Sequence, residues 1–208
     1  MLNNTTHESV NYVRLFSGKK DEAPYFGLKG NKESGYKITD TYNELNGVSI
    51  LDIELGTYEY EGKTKHTIKI SFEDKLGKTV LESSLNTGIM RSMLNTFCGA
   101  DFLVPFDLKL YLNKKGYPSV YIKQGADTPS WKYAPSDFPQ PEKLKNSKGI
   151  EVGYDDSNVV EWLQKLVNEE LRPRLSYYNK PPQSQTKLPD TPTPKETWDK
   201  NEIDTLPF

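Results

Sequence analysis

Cysteine is nearly missing from this chain. Cys98 is the only one in 208 residues, which excludes an intrachain disulfide and a cysteine-built metal site. Histidine is almost as scarce, and His7 and His66 lie too far apart in sequence to suggest a ligand cluster. No run approaches the roughly 18 apolar residues of a membrane-spanning helix. The opening Met1-Leu2-Asn3-Asn4-Thr5-Thr6-His7 is polar and has no apolar signal core. These absences lead to the expectation of a cytoplasmic, reducing environment, with no membrane partner, metal or other cofactor. An excess of one charge is missing too: 27 basic and 29 acidic residues leave a net charge of −2. Non-specific duplex-DNA binders are usually more basic, so a nucleic-acid surface here requires segregated charge. No spacing gathers the acids Asp52, Glu54, Asp74 and Asp107 at one site, and Cys98 has no histidine near it in sequence. The expectation is a protein that is not an enzyme, with no catalytic residues.

What is present is β-patterning followed by a polar tail. Residues 1–9 are polar and expected to be flexible, 10–174 form a domain, and 175–208 form a disordered tail. Short β-like runs, Tyr12 to Phe16 and Tyr36 to Thr39, make an N-terminal β extension. Residues 48–60 and 64–73 alternate strongly and meet at Glu61-Gly62, a two-residue hairpin signal. Pairing Tyr60 with Lys63 sets Leu55 against Ile68, Ile53 against Ile70 and Leu51 against Phe72 on one face. The other face then pairs Tyr60 with Lys63, Tyr58 with Lys65 and Glu54 with Lys69. A slip of one residue would destroy this sorting. A third strand runs from Lys78 to Leu85. A helix follows, capped by Asn86 or Thr87 and stopped by Gly99, with Ile89, Met90, Met93, Leu94 and Phe97 on one side. Two more strands, about Val104 to Asn113 and Tyr117 to Lys123, flank the turn Lys114-Lys115-Gly116 and pair Leu110 with Val120 and Leu108 with Ile122. This order fits a mainly β fold: a five-stranded OB (oligonucleotide-binding) barrel with a helix between strands 3 and 4. A β-sandwich, or a meander plus helix, satisfies the same order. A C-terminal helix spans 155–172, with Val159, Val160, Leu163, Leu166, Val167 and Leu171 as its apolar stripe and Pro173 limiting its extension.

Two features carry chemistry. OB barrels hold oligonucleotides across strands 2 and 3, flanked by the loops between strands 1 and 2 and between strands 4 and 5. Those loops carry Tyr58, Tyr60, Lys63 and Lys65, and Tyr111, Lys114, Lys115 and Tyr117. Lys69, Lys109, Tyr121 and Arg14 extend the set. Tyrosine rings stack on bases and lysines neutralise phosphates without reading sequence. Tyr–Lys pairs also occur on plain solvent faces of sheets. Tyr12, Phe16, Tyr25, Phe26, Tyr36 and Tyr42 divide between core and an arm over the groove. Trp131 pins a proline-rich connector to the core or stacks on a base. Trp162 packs beside the helix stripe or joins protomers of a homo-oligomer. The second feature is the tail, whose tip concentrates Asp199, Glu202, Ile203, Asp204, Leu206, Pro207 and Phe208. A disordered linker ending in an acidic, apolar peptide suits docking into a partner's pocket.

The ending Ile203-Asp204-Thr205-Leu206-Pro207-Phe208 resembles the acidic tail of bacterial single-stranded DNA-binding proteins, which typically ends Asp-Ile-Pro-Phe. Here Thr205-Leu206 stands before Pro-Phe. Val13-Arg14-Leu15-Phe16 and Pro24-Tyr25-Phe26-Gly27 are similar to the opening of some phage-encoded proteins of that role. The resemblance implies an OB fold and sequence-independent coating of single-stranded DNA in replication, recombination or repair, within a host cytoplasm. It also implies that the tail recruits replication or recombination proteins and competes with DNA for the basic groove. A protein-interaction adaptor that binds no nucleic acid is the alternative.

Overall fold

The computed structural model describes residues 10–30, 37–75 and 77–178. Three short strands come first: β1 (Val10–Phe16), β2 (Tyr25–Lys29) and β3 (Ile38–Tyr42). The strongly alternating region forms β4 (Glu44–Tyr60), β5 (Lys63–Asp74) and β6 (Gly77–Ser84). Helix α1 (Gly88–Gly99) separates β6 from β7 (Phe106–Leu112) and β8 (Pro118–Lys123). A connector leads to a small hairpin, β9 (Glu142–Lys145) and β10 (Glu151–Asp155). A helical run follows: α2 (Ser157–Lys165), a π-helical segment (Leu166–Leu171) and α3 (Arg172–Tyr178). No helix among the described residues is long and apolar enough to cross a membrane.

The turn between β4 and β5 sets their register. Glu61 (φ 50°) and Gly62 (φ 69°) are both left-handed, the two-residue turn whose twist matches paired strands. Tyr60 faces Lys63, Tyr58 faces Lys65, Leu55 faces Ile68 and Ile53 faces Ile70, as the alternation predicts. Leu51 does not face Phe72. The register shifts between Ile50 and Asp52, so Ile50 takes that place and Leu51 is the extra residue of a bulge. Below the bulge β4 stays paired with β5 through Ser49 and Glu73, and its N-terminal part pairs with β7, Leu45 against Leu108 and Val48 against Phe106. Leu110 against Val120 and Leu108 against Ile122 hold β7 to β8, also as predicted.

A five-stranded closed barrel is not what forms. Eight strands make one strongly curled sheet, half a barrel, in the order β3-β2-β1-β6-β5-β4-β7-β8. The physical reason is the edge of β6. The first strand lies parallel to it, Val13 opposite Leu81 and Arg14 opposite Glu82. That occupies the hydrogen-bonding groups through which another strand would close the ring, and leaves β8 at the far end of the sheet.

The core lies inside the curl. Ile53, Ile68, Ile70, Phe72, Leu81, Val13 and Phe26 are fully buried there, with Met90, Met93, Leu94 and Phe97 of α1. Thr87 caps α1, its hydroxyl oxygen accepting the Met90 N–H at 3.2 Å. Beneath them the helical run buries Val159, Leu163, Val167, Leu171 and Leu175. Pro173 does not end this run, which continues to Tyr178. Proline lacks an N–H and its ring clashes with the preceding turn's carbonyl, but the wider π turn just before it and its place in the first turn of α3 remove both problems. The connector is pinned by its aromatics. Trp131 packs on Phe138 with ring centroids 6.1 Å apart, and Trp162 lies against Phe138 at 4.9 Å and Tyr133 at 5.4 Å.

Candidate nucleic-acid interface

Alternation along β4 and β5 sends Ile53, Ile68 and Ile70 inward, so Tyr58, Tyr60, Lys63, Lys65 and Lys69 share the outer face. Tyr58 is 47% exposed and Tyr60 is 56% exposed, high values for large aromatic rings. Each stands opposite a lysine, Lys65 and Lys63 respectively. Across the sheet this face continues into β6 and β1. Arg14 lies opposite Glu82, Glu82 opposite Lys69, and Lys69 opposite Glu54, a row of alternating charge.

Beside that row the outer face is hollowed. Ser84 opposes Thr67 and Thr67 opposes Gly56, so three small residues form a low floor. A Cβ at Gly56 would come within 3.0 Å of the Thr67 hydroxyl. The resulting groove, about 910 Å³, has Tyr58 on one side and Phe16, Tyr25, Arg14 and Lys19 on the other. Phe16 and Tyr25 oppose each other on β1 and β2 and stack, centroids 4.7 Å apart and planes 17° apart. The Phe16 ring lies over Gly27, where a Cβ would approach it to 2.8 Å. Glu82 also lines the groove and is the centre of its charge, ion-paired with Lys29 and, at 3.6 Å, with Lys69. Partial burial pushes the Glu82 carboxyl up, and the Lys29 and Lys69 ammonium groups outweigh it, so its pKa falls below the usual range.

The second predicted cluster is split. Lys114 and Lys115, exposed, and Tyr117 occupy the turn between β7 and β8. The loop between β1 and β2, part of which lines the groove, reaches this turn: the Asp21 N–H donates to the Gly116 carbonyl at 2.7 Å. Lys20 Nζ lies 5.7 Å from the Tyr117 ring centroid, so Tyr117 already stacks a cation of the chain itself. Any side chain at Gly116 would collide with Asp21, whose carboxylate is 2.0 Å from the Cβ position. Lys109, Tyr111 and Tyr121 do not line the groove. Lys109 is ion-paired with Glu44, and the Tyr121 hydroxyl is 3.0 Å from that of Thr128.

Sequence patterns thus located Tyr58 on one side of the groove, Arg14 on the other and Lys69 between them, but left Phe16 and Tyr25 undivided between core and arm. Their signal was the alternation in Val13-Arg14-Leu15-Phe16, where Val13 and Leu15 are buried. Three of the acids weighed for catalysis serve the backbone. Asp107 accepts the Gly47 N–H at 2.7 Å, Asp52 the Ile53 N–H at 2.8 Å and Asp74 the Gly77 N–H at 3.1 Å. The tail residues Asp199, Glu202, Ile203, Asp204, Leu206, Pro207 and Phe208 lie outside the described residues. No protein-family profile, curated protein or solved structure matches the chain.

Proposed function

We propose that this chain binds single-stranded DNA without sequence preference, as a non-enzymatic protein of replication, recombination or repair. The observation that carries the reading is the outer face of β4 and β5. There exposed Tyr58 and Tyr60 stand opposite Lys65 and Lys63, and the face runs on into a groove edged by Arg14, Lys69 and further aromatics. Rings offer stacking to any base, worth about 1–3 kcal/mol each, and cations between them meet the flanking phosphates. In this reading β4, β5, β6, β7 and β8, with α1 between β6 and β7, are an OB-like set, since β4 pairs with both β5 and β7. The tail tip, Asp199 to Phe208, then serves as a ligand for partner proteins, and Lys114 and Lys115 extend the cationic surface.

The test is a fluorescence titration of the full chain with single- and double-stranded oligonucleotides at two salt concentrations. Single-stranded binding weakens with salt, log K falling by roughly 0.7 per phosphate contact against log salt. Replacing Tyr58, Tyr60, Lys63 and Lys65 together by Ala lowers oligo-dT affinity by at least about tenfold. Unchanged affinity in that variant would rule the face out.

A second reading, a protein-interaction adaptor, is favoured by β9 and β10. This hairpin pairs with no other strand among the described residues and exposes Leu144, Ile150, Val152 and Tyr154, the last at 64%. It requires the absence of salt-dependent oligonucleotide binding.

A further inference from the structure

We infer that Phe16 and Tyr25 form a base-stacking subsite for single-stranded DNA, built by the N-terminal hairpin of β1 and β2. The inference rests on the proposed DNA-binding reading and adds to it a second aromatic platform, on strands outside the five that make the OB-like set.

Alternation places these two rings outside the core. Val13, Leu15 and Phe26 are the inward residues of the same strands, and they fill the interior at 0%, 7% and 0% exposure. Phe16 and Tyr25 project to the other side, into the groove. Two nearly parallel rings 4.7 Å apart have the geometry of a stack to which a third flat ring adds. The platform is rigid: Phe16 lies against the bare backbone of Gly27 and beside Ile38. Tyr25 remains 37% exposed, so stacking surface is left for a nucleobase. The exposed cations Arg14 and Lys19 line the same groove, where the phosphates next to a stacked base run.

The spacing defines what such a groove takes. From β1 to Tyr58 on β4 the path crosses β6 and β5, three interstrand steps or roughly 14 Å at ~4.8 Å each. That is about four stacked nucleotides at ~3.4 Å each, and fewer if the strand is extended. One strand of a few nucleotides therefore engages both platforms, its middle passing over the low floor of Ser84, Thr67 and Gly56.

The experiment is titration of the full chain with oligo-dT of about ten nucleotides, within the range of OB-fold site sizes, using Tyr25→Leu, Tyr25→Phe and Tyr58→Leu. Leucine keeps the bulk and removes the π-face, and Tyr25 is exposed enough for both replacements to fold, which thermal melts check. Tyr25→Leu is expected to lose about fivefold or more in affinity, while Tyr25→Phe stays within about twofold of the parent. Parent-like affinity in Tyr25→Leu overturns the subsite. So does an equal loss in Tyr25→Phe, which would assign the contact to the hydroxyl. In both cases a loss in Tyr58→Leu leaves the DNA-binding reading standing. Failure of the parent chain to bind oligo-dT at low salt overturns that reading and the subsite with it.

Discussion

Single side chains carry out the demanding electrostatic work. Arg174 is buried, and its guanidinium donates to the carbonyls of Phe97, at 3.3 Å, Cys98, at 2.7 Å, and Ala100. The Phe97 carbonyl also accepts the Ala100 N–H at 3.2 Å, so the planar fork adds a side-chain cap to the backbone cap at the C-terminal end of α1. Arg174→Ala should lower unfolding free energy by about 3 kcal/mol, read as a drop in urea midpoint at constant m-value. Cys98 titrates in an apolar setting. Burial, then the nearby Glu170 carboxylate, pushes its thiol up to about 12 from 9.0. The folded state thus holds this proton where the unfolded chain releases it, so stability declines from about pH 9 towards pH 12. Replacing Cys98 by Ala should flatten that part of the stability–pH curve, measured by urea melts at each pH. Under the DNA-binding reading, Glu82 in the groove competes with DNA for Lys29 and Lys69. Glu82→Gln should tighten oligo-dT binding by roughly fivefold, on the order of 1 kcal/mol. Unchanged affinity would mean that both ion pairs survive in the complex.

Elements were legible in the sequence wherever one face is buried and the other is wet. The β4–β5 register could be read because a slip of one residue would have put Ile68 and Ile70 on the face opposite Ile53. The bulge at Leu51 could not, since Ile50 and Leu51 are both apolar and either can serve the core position. Pro173 misled for a related reason: the π segment that accommodates it has no sequence signature of its own. The β9–β10 hairpin escaped notice because most of its residues are exposed, so no inward set marks a period. Phe16 and Tyr25 stayed ambiguous because an aromatic residue in a strand looks the same whether it plugs a core or lines a groove. Under the DNA-binding reading the small hairpin is dispensable. Replacing residues 142–155 by a short Gly-Ser linker should leave oligo-dT affinity within about twofold and the core intact. A large loss of DNA binding on that exchange would move the interface away from the groove.

At the scale of the whole molecule, two parts of the curled sheet that are distant in sequence touch. The loop after β1 touches the turn after β7 through Asp21 and Gly116, and through Lys20 over Tyr117. Gly116→Val should break this latch, since its Cβ position is 2.0 Å from the Asp21 carboxylate and Gly116 is left-handed at φ 79°. Faster hydrogen exchange across 17–23, with unchanged protection in β4 and β5, is the expected signature. Normal protection across 17–23 would mean that the loop holds without the Asp21–Gly116 contact. None of this closure was legible in the sequence, because a pairing between residues so far apart leaves no local period.

The parallel union of β1 with β6 also has a bearing on the order of events during synthesis. Val13 emerges from the ribosome long before its neighbour Leu81, so the first strand must wait for most of the sheet to be made. Local hairpins such as β4–β5 form early, and a pairing this distant in sequence forms late. Until then the edge of β6 stands open to any passing strand, and the groove lacks one of its walls. Every residue that lines the groove lies between 14 and 84, so the groove is completed once β6 has been made and its two walls, far apart in sequence, have met.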